Sequence, residues 1–253
     1  MSTWTRRPWG SRIAAVGGAG VLVLLAGCTS STTPPAASTT PTASAAAAPT
    51  TVAPTAGAPS AEAILEKAKA NAIAATSAAF SGRVQQGGVE MLVDFKGTSD
   101  GSTSDITLTT GTEGKARILS VGGQVYIQAD ERFWTAQGVP SSFPADKFVK
   151  VPAAAKEFSD EFSLNGLIDE AFKAVTPSQL SDTVGSEVVN GIDSWVITDS
   201  AGQGEGSLHV SKSDYQVVRF TGSSSSPGQL DFAHWNEDLG ITAPPKDQVV
   251  TLD

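Results

Sequence analysis

The chain has 253 residues, enough for one or two domains, with 17 basic against 26 acidic residues and a formal charge of −9. No charged residue occurs from Ile13 to Ala61, so a product starting at Cys28 keeps 14 basic and 26 acidic residues, a formal −12. That acidity argues against a nucleic-acid partner, which needs a basic face, and against electrostatic docking on anionic lipid. The single cysteine, Cys28, leaves no internal disulfide and no cysteine-based zinc site.

Residues 1–27 have the parts of a bacterial secretory signal: Arg6, Arg7 and Arg12 at the start, then an apolar, glycine-rich run from Ile13 to Ala26. The run is too short for a membrane span, which needs about 20 apolar residues. Leu25-Ala26-Gly27-Cys28 matches the lipobox of bacterial lipoproteins, with small residues ahead of a thiol that accepts a diacylglyceryl group. The competing reading is a plain signal peptide with an incidental cysteine. Thr5-Arg6-Arg7 resembles a twin-arginine export motif, and Pro8-Trp9 fits it poorly. A lipidated Cys28, palmitate among its acyl chains, gives an anchor without a basic patch, since each buried CH₂ is worth about 0.8 kcal/mol. The expected location is the extracytoplasmic face of the cell membrane.

Residues 28–60 form the next segment. From Thr29 to Ser60, all residues except Val52 and Gly57 are Ala, Pro, Ser or Thr. This composition cannot bury enough apolar surface to offset its ordering entropy, which predicts a disordered tether. At roughly 3.3 Å per residue it reaches on the order of 100 Å when stretched. Clustered Ser, Thr and Pro are also compatible with O-glycosylation.

Residues 61–253 are expected to fold as one domain. Ile64, Leu65, Ala68, Ala72 and Ala75 make one stripe of a helix over 61–77, with Ser60 as its N-cap. Alternation then takes over: Val89, Met91, Val93 and Phe95; Ile106 and Leu108; Ile118; Val125 and Ile127, with a hairpin at Gly122-Gly123. Phe133 to Val151 reads as irregular and aromatic, its prolines breaking any central strand. Ser163 caps a second helix whose apolar face is Leu164, Leu167, Ile168, Ala171 and Phe172, and Thr176-Pro177 suggests another helix start. Strands resume at about Thr183, with candidate cores at Val188-Val189, Trp195–Ile197, Leu208 and Val210, Tyr215–Phe220, and Leu230 with Phe232. Turns are expected at Asn190-Gly191, Gly202–Gly206, Ser213-Asp214 and Ser223–Gly228, and a short extended tail over 248–252. The fold class is therefore α+β: one curved antiparallel half-barrel sheet of about eight to ten strands, with helices covering its concave face. Such a container suits an apolar ligand.

Catalytic chemistry is thin. Neither His209 nor His234 has a nucleophile arranged near it, and both read as exposed or edge residues. The acid pairs Asp130-Glu131, Asp160-Glu161, Asp169-Glu170 and Glu237-Asp238 point apart and read as solvated. No phosphate loop and no calcium-loop spacing occurs, so no catalytic residue, metal or cofactor is expected.

Three stretches carry a resemblance: GGQVYIQADERFWTA, ADKFVKVPA followed by FSLNGLIDEAF, and LDFAHWNEDLGITAPPKDQVV. With the lipobox, the tether and the opening AILEKAKANAIAATSAAFSGRV, their order resembles the actinobacterial LppX/LprG-type lipoproteins, which share a half-barrel with the LolA/LolB carriers. The resemblance spans about 60–252. It implies an apolar cavity closed by helices and binding of acylated lipids or lipoglycans, without catalysis. The expected lining is Val93, Phe95, Ile106, Leu108, Ile118 and Ile127, with Leu167, Ile168 and Phe172 as the lid. The expected partners are the membrane, through the anchor, and an acylated lipid, with the protein a monomer. A sheet face rich in Thr, Ser and Gly keeps the alternative open: a side-chain-filled half-barrel acting as a ligand-free structural or protein-interaction module.

Overall fold

The computed structural model describes residues 57–86, 88–139, 144–145, 147–151, 163–173 and 175–251. The export segment, Cys28 and the tether up to residue 56 lie outside the described residues.

Helix α1 (Ala61–Ala74) starts where Ser60 Oγ accepts from the Ala63 amide at 3.2 Å, satisfying a donor that the first turn leaves free. Its buried stripe is Ala61, Ile64, Leu65, Ala68 and Ala72, so small residues let the helix lie close to the sheet. It stops at Ala74, three residues short of the expected end, because Thr76 leads straight into a strand. That strand, β1 (Ser77–Gln86), is followed by β2 (Val89–Thr98), β3 (Ser104–Thr110), β4 (Gly114–Val121) and β5 (Gln124–Ala129). Gly122 and Gly123, at φ 60° and 73°, make the tight β4–β5 hairpin that the sequence signals.

Helix α2 (Glu131–Ala136) and strand β6 (Phe148–Val151) occupy the two ends of the stretch expected to be irregular. Asp130 builds α2: its carboxylate accepts from Phe133 N at 2.8 Å and from Lys115 N at 2.9 Å. Helix α3 (Leu164–Lys173) is capped as expected by Ser163 Oγ, which accepts from Gly166 N at 3.0 Å, and buries Leu164, Ile168 and Phe172. Thr176-Pro177 opens only one 3₁₀ turn, Pro177–Gln179.

Strands β7 (Gly185–Val189), β8 (Ile192–Asp199), β9 (Gly202–Ser211), β10 (Val217–Thr221) and β11 (Gly228–Ala233) follow, then β12 (Val249–Thr251). The Gly202–Gly206 stretch, expected to turn, is the start of β9: Gly202 pairs with Asp199 of β8 across a register shift, and the Gly204 carbonyl accepts from Ser224 N at 2.7 Å. β10 begins at Val217 rather than Tyr215, because Tyr215 takes a left-handed φ of 59° and closes the β9–β10 turn.

The twelve strands among the described residues form one open, curved sheet in the order β12-β6-β5-β4-β3-β2-β1-β11-β10-β9-β8-β7. The half-barrel class is as expected. The count exceeds eight to ten because β1, short β6 and the C-terminal tail also join the sheet. Neighbours are antiparallel except β12, which runs parallel to β6. The two runs of strands meet at one seam, where β1 pairs with β2 on one side and β11 on the other.

Candidate functional site

Cross-strand register assembles the concave face into rows. One row runs Phe232, Phe80, Phe95, Ile106, Ile118, Ile127 and Val149, each the direct partner of the next. The adjacent row runs Leu230, Gly82, Val93, Leu108, Ala116 and Ala129. Side chains alternate faces along a strand, so these residues share one side of the sheet. Burying each Phe, Ile, Leu or Val is worth about 1.5–3 kcal/mol, which holds the sheet against whatever covers it.

The structure divides this face in two. Phe95 and Ile106, with Val93 and Leu108 partly buried beside them, pack in one cluster with α1 and with Leu167, Ile168 and Phe172 of α3. Ile118 and Ile127 belong to a second cluster with Val125, Val149, Val151 and Trp134 of α2. The nine expected lining residues therefore all lie on the concave side, seven in the first cluster and two in the second.

Aromatic rings dominate the centre of the first cluster. Phe80 lies 5.1 Å from Phe232, and Phe220 meets Phe172 edge-on at 5.6 Å and Phe232 at 5.7 Å. Edge-to-face and offset pairs of this kind add about 0.5–1.5 kcal/mol beyond burial. The sequence did not point to Phe80, because its strand lies between a helix and a glycine-bearing stretch with few large apolar residues.

The convex side carries ion pairs among buried apolar residues such as Leu119, Phe148 and Val196. Arg117 grips Asp105 with two hydrogen bonds of 2.9 and 2.7 Å, and Arg219 grips Asp231 on the opposite half of the sheet. Asp105 supports the Arg117 guanidinium and raises its pKa further. His209, expected to be exposed or at an edge, is instead buried at 5% exposure on this side, between β8 and β10. Its Nε2 shares a 3.1 Å hydrogen bond with Ser207 Oγ, while Nδ1 has no hydrogen-bond partner and sits 3.6 Å from Glu187 Oε2. Desolvation by burial holds its pKa below 6.5; Glu187 works against that shift and Arg219 with it. His234 is exposed and contacts Glu237 at 2.7 Å. Among the described residues no group of three or more His, Cys, Asp or Glu is placed to hold a metal ion.

The geometry defines an open antiparallel half-barrel with helices packed on an apolar concave face. No protein-family model matches the chain, and no curated protein does. Among solved structures it is similar to the lipoprotein LppX of Mycobacterium tuberculosis, at 14% identity and a TM-score of 0.45 over 72% of this chain and 98% of that one. It is also similar to LprF of Mycobacterium bovis, at 11% identity and a TM-score of 0.47 over 73% and 96%. An uncharacterized conserved protein from Thermus thermophilus matches at 15% identity and a TM-score of 0.36 over 76% and 99%.

Proposed function

We propose that the protein is a lipoprotein anchored through Cys28 on the extracytoplasmic face of the cell membrane, and that residues 61–253 bind an acylated lipid and carry or shield it without catalysis. The observation that carries this reading is the unbroken apolar row from Phe232 to Val149 on a sheet that curls but does not close. The amphipathic helix α3 supports it, presenting Leu164, Ile168 and Phe172 to the same side. An acyl chain laid along these rows gains about 25 cal/mol per Å² of buried apolar surface, which supplies affinity without any charge.

The test is native mass spectrometry of Cys28→Ser protein incubated with phosphatidylcholine vesicles and with a triacylated glycolipid. A one-to-one adduct that survives repurification is the expected result. Protein recovered empty from both incubations overturns lipid binding. For the anchor, the wild-type chain should sediment with membranes and incorporate palmitate, and Cys28→Ser should do neither.

A second reading has its own observation. The contacting rings of Phe80, Phe172, Phe220 and Phe232 occupy the space above the middle of the sheet, as in a half-barrel that holds only its own side chains. In that case the domain serves as a structural or protein-interaction module of the envelope.

A further inference from the structure

A cleft of about 280 Å³ opens where α1 leads into β1, between the end of that helix and the β9–β10 and post-β11 turns. Its apolar wall is Trp235 with Val217, Ala72 and Ala74, and its rim carries Asn71, Asp214, Gln216 and Asn236. We propose that this cleft binds one ring of a neutral pyranose saccharide.

The indole is fixed in place. Trp235 stacks on Phe232 at 5.7 Å with planes 11° apart, and its Nε1 donates to the Val217 carbonyl at 2.9 Å. One side of the ring is thus occupied by the core, and the half-buried remainder lines the cleft. The rim is fixed as well. Asn71 Nδ2 donates to the Asp214 carbonyl at 2.7 Å, and Asn236 Oδ1 accepts from Thr76 N at 2.8 Å. Asp214 Oδ1 accepts from Gln216 N at 3.1 Å. Asn71 Oδ1, Asn236 Nδ2, the second Asp214 oxygen and the Gln216 amide then make no hydrogen bond among the described residues. Asn236 on the rim has a left-handed φ of 61°, and Tyr215, at φ 59°, sits in the chain between the lining residues Asp214 and Gln216. For a bulky residue such as Tyr215 that conformation is costly, and such strain concentrates where a site must be shaped.

The chemistry selects the ligand. An apolar indole surface ringed by amide and carboxylate groups matches the C–H face and the hydroxyls of a sugar. The volume, about 280 Å³, lies just below the range of drug-sized ligand pockets, about 300–1,000 Å³, which suits a single ring rather than an acyl chain. A phosphate is disfavoured by Asp214, and Lys67, the cation beside this turn, is engaged over the Tyr215 ring at 4.4 Å. An organic cation needs several rings around it, and one ring lines this cleft. The ring could belong to a free glycan or to a glycolipid head group, and the inference does not depend on the acyl-binding proposal.

The test follows side-chain amide and indole resonances of the full-length Cys28→Ser chain by NMR. The free probes are methyl α-glucopyranoside, methyl α-mannopyranoside and methyl N-acetylglucosaminide. The membrane probe is monoglucosyl diacylglycerol in phosphatidylcholine vesicles, against phosphatidylcholine alone. Saturating shifts of Trp235, Asn71 and Asn236 are expected, with a Kd of about 0.1–10 mM. Response to the free sugars identifies a glycan ligand, and response only to the glycolipid vesicles identifies a head group. Ala74→Leu, which fills the cleft from α1, should abolish the response. Gln216→Ala, which removes an amide without a structural bond, should weaken it about five- to tenfold, as for the loss of one hydrogen bond. The proposal is overturned if no probe shifts these resonances, or if Gln216→Ala responds as the wild type does.

Discussion

Phe80 and Phe95 stack face to face across the β1–β2 pair, with ring centroids 4.7 Å apart and planes 15° from parallel. The Phe95 ring folds back over Gly97 on its own strand: a Cβ built on Gly97 would lie 2.6 Å from Phe95 Cζ. Gly97→Ala should therefore cost about 1–3 kcal/mol through overpacking. Phe95→Leu in the same chain removes the clashing ring edge, so the double variant should be less destabilised than the sum of the two, by about 1 kcal/mol in a urea-denaturation cycle. Strict additivity would show that the ring does not rest on Gly97.

The seam between the two runs of strands depends on two close backbone approaches. A Cβ at Gly82 would lie 1.9 Å from the Gln229 carbonyl oxygen, and one at Gly228 would lie 2.9 Å from the Arg83 carbonyl oxygen. Gly82→Ala should force β1 and β11 apart and lower stability by about 3 kcal/mol or more, beyond ordinary overpacking, with amide exchange rising first along these two strands. Gly191→Ala, where a Cβ meets no atom but φ is 82°, should cost only about 1 kcal/mol. Equal losses at the two sites, measured by thermal unfolding, would argue against a special seam.

The face that the sequence exposes is the face that alternates. Val93 and Phe95 flank Asp94, Ile106 and Leu108 flank Thr107, and the register places them in rows with Ile118 and Ile127. The α3 face, Leu164, Ile168 and Phe172, was legible for the same reason at helical spacing. What was not legible depends on long-range partners. Gly202–Gly206 looks like a turn, and joins β9 only through the pairing of Gly202 with Asp199 and the bond from Ser224 N to the Gly204 carbonyl. The six residues of α2 exist because Asp130 caps them while also binding the Lys115 amide of β4. Trp235 becomes the wall of a cleft only through Asn71, Ala72 and Asp214, which the fold brings to it from far away in the sequence.

His209 links stability to pH. Its folded pKa lies below the unfolded value of 6.5, mainly because burial disfavours the imidazolium, with Glu187 opposing and Arg219 reinforcing the shift. At pH values below 6.5 the unfolded chain binds the proton that the folded chain resists, so stability is present above 6.5 and falls as pH drops through that value. His209→Gln should flatten the dependence of the denaturation midpoint between about pH 7 and 5, where histidine titrates. A wild-type slope that survives His209→Gln would assign the effect to other groups.

Phe172 separates the two readings of the concave face. It buries its ring from α3 onto Phe220 at 5.6 Å, so Phe172→Ala should cost about 3–5 kcal/mol and leave a void. A void alone can take up a small apolar molecule, so binding by the alanine variant does not discriminate. Phe172→Trp does, because it adds bulk where an acyl chain would pass. If the wild type binds phospholipid along the Phe232–Val149 row, Phe172→Trp should weaken that binding about tenfold while the alanine variant retains it. Ligand should also raise the melting temperature of the wild type, by linkage worth about 2.7 kcal/mol at a hundredfold excess over Kd. If the half-barrel is filled by its own side chains, neither wild type nor Phe172→Trp gains stability from phospholipid, and only the alanine variant responds, to short-chain fatty acid. Thermal unfolding of the three proteins with and without lipid decides between these outcomes.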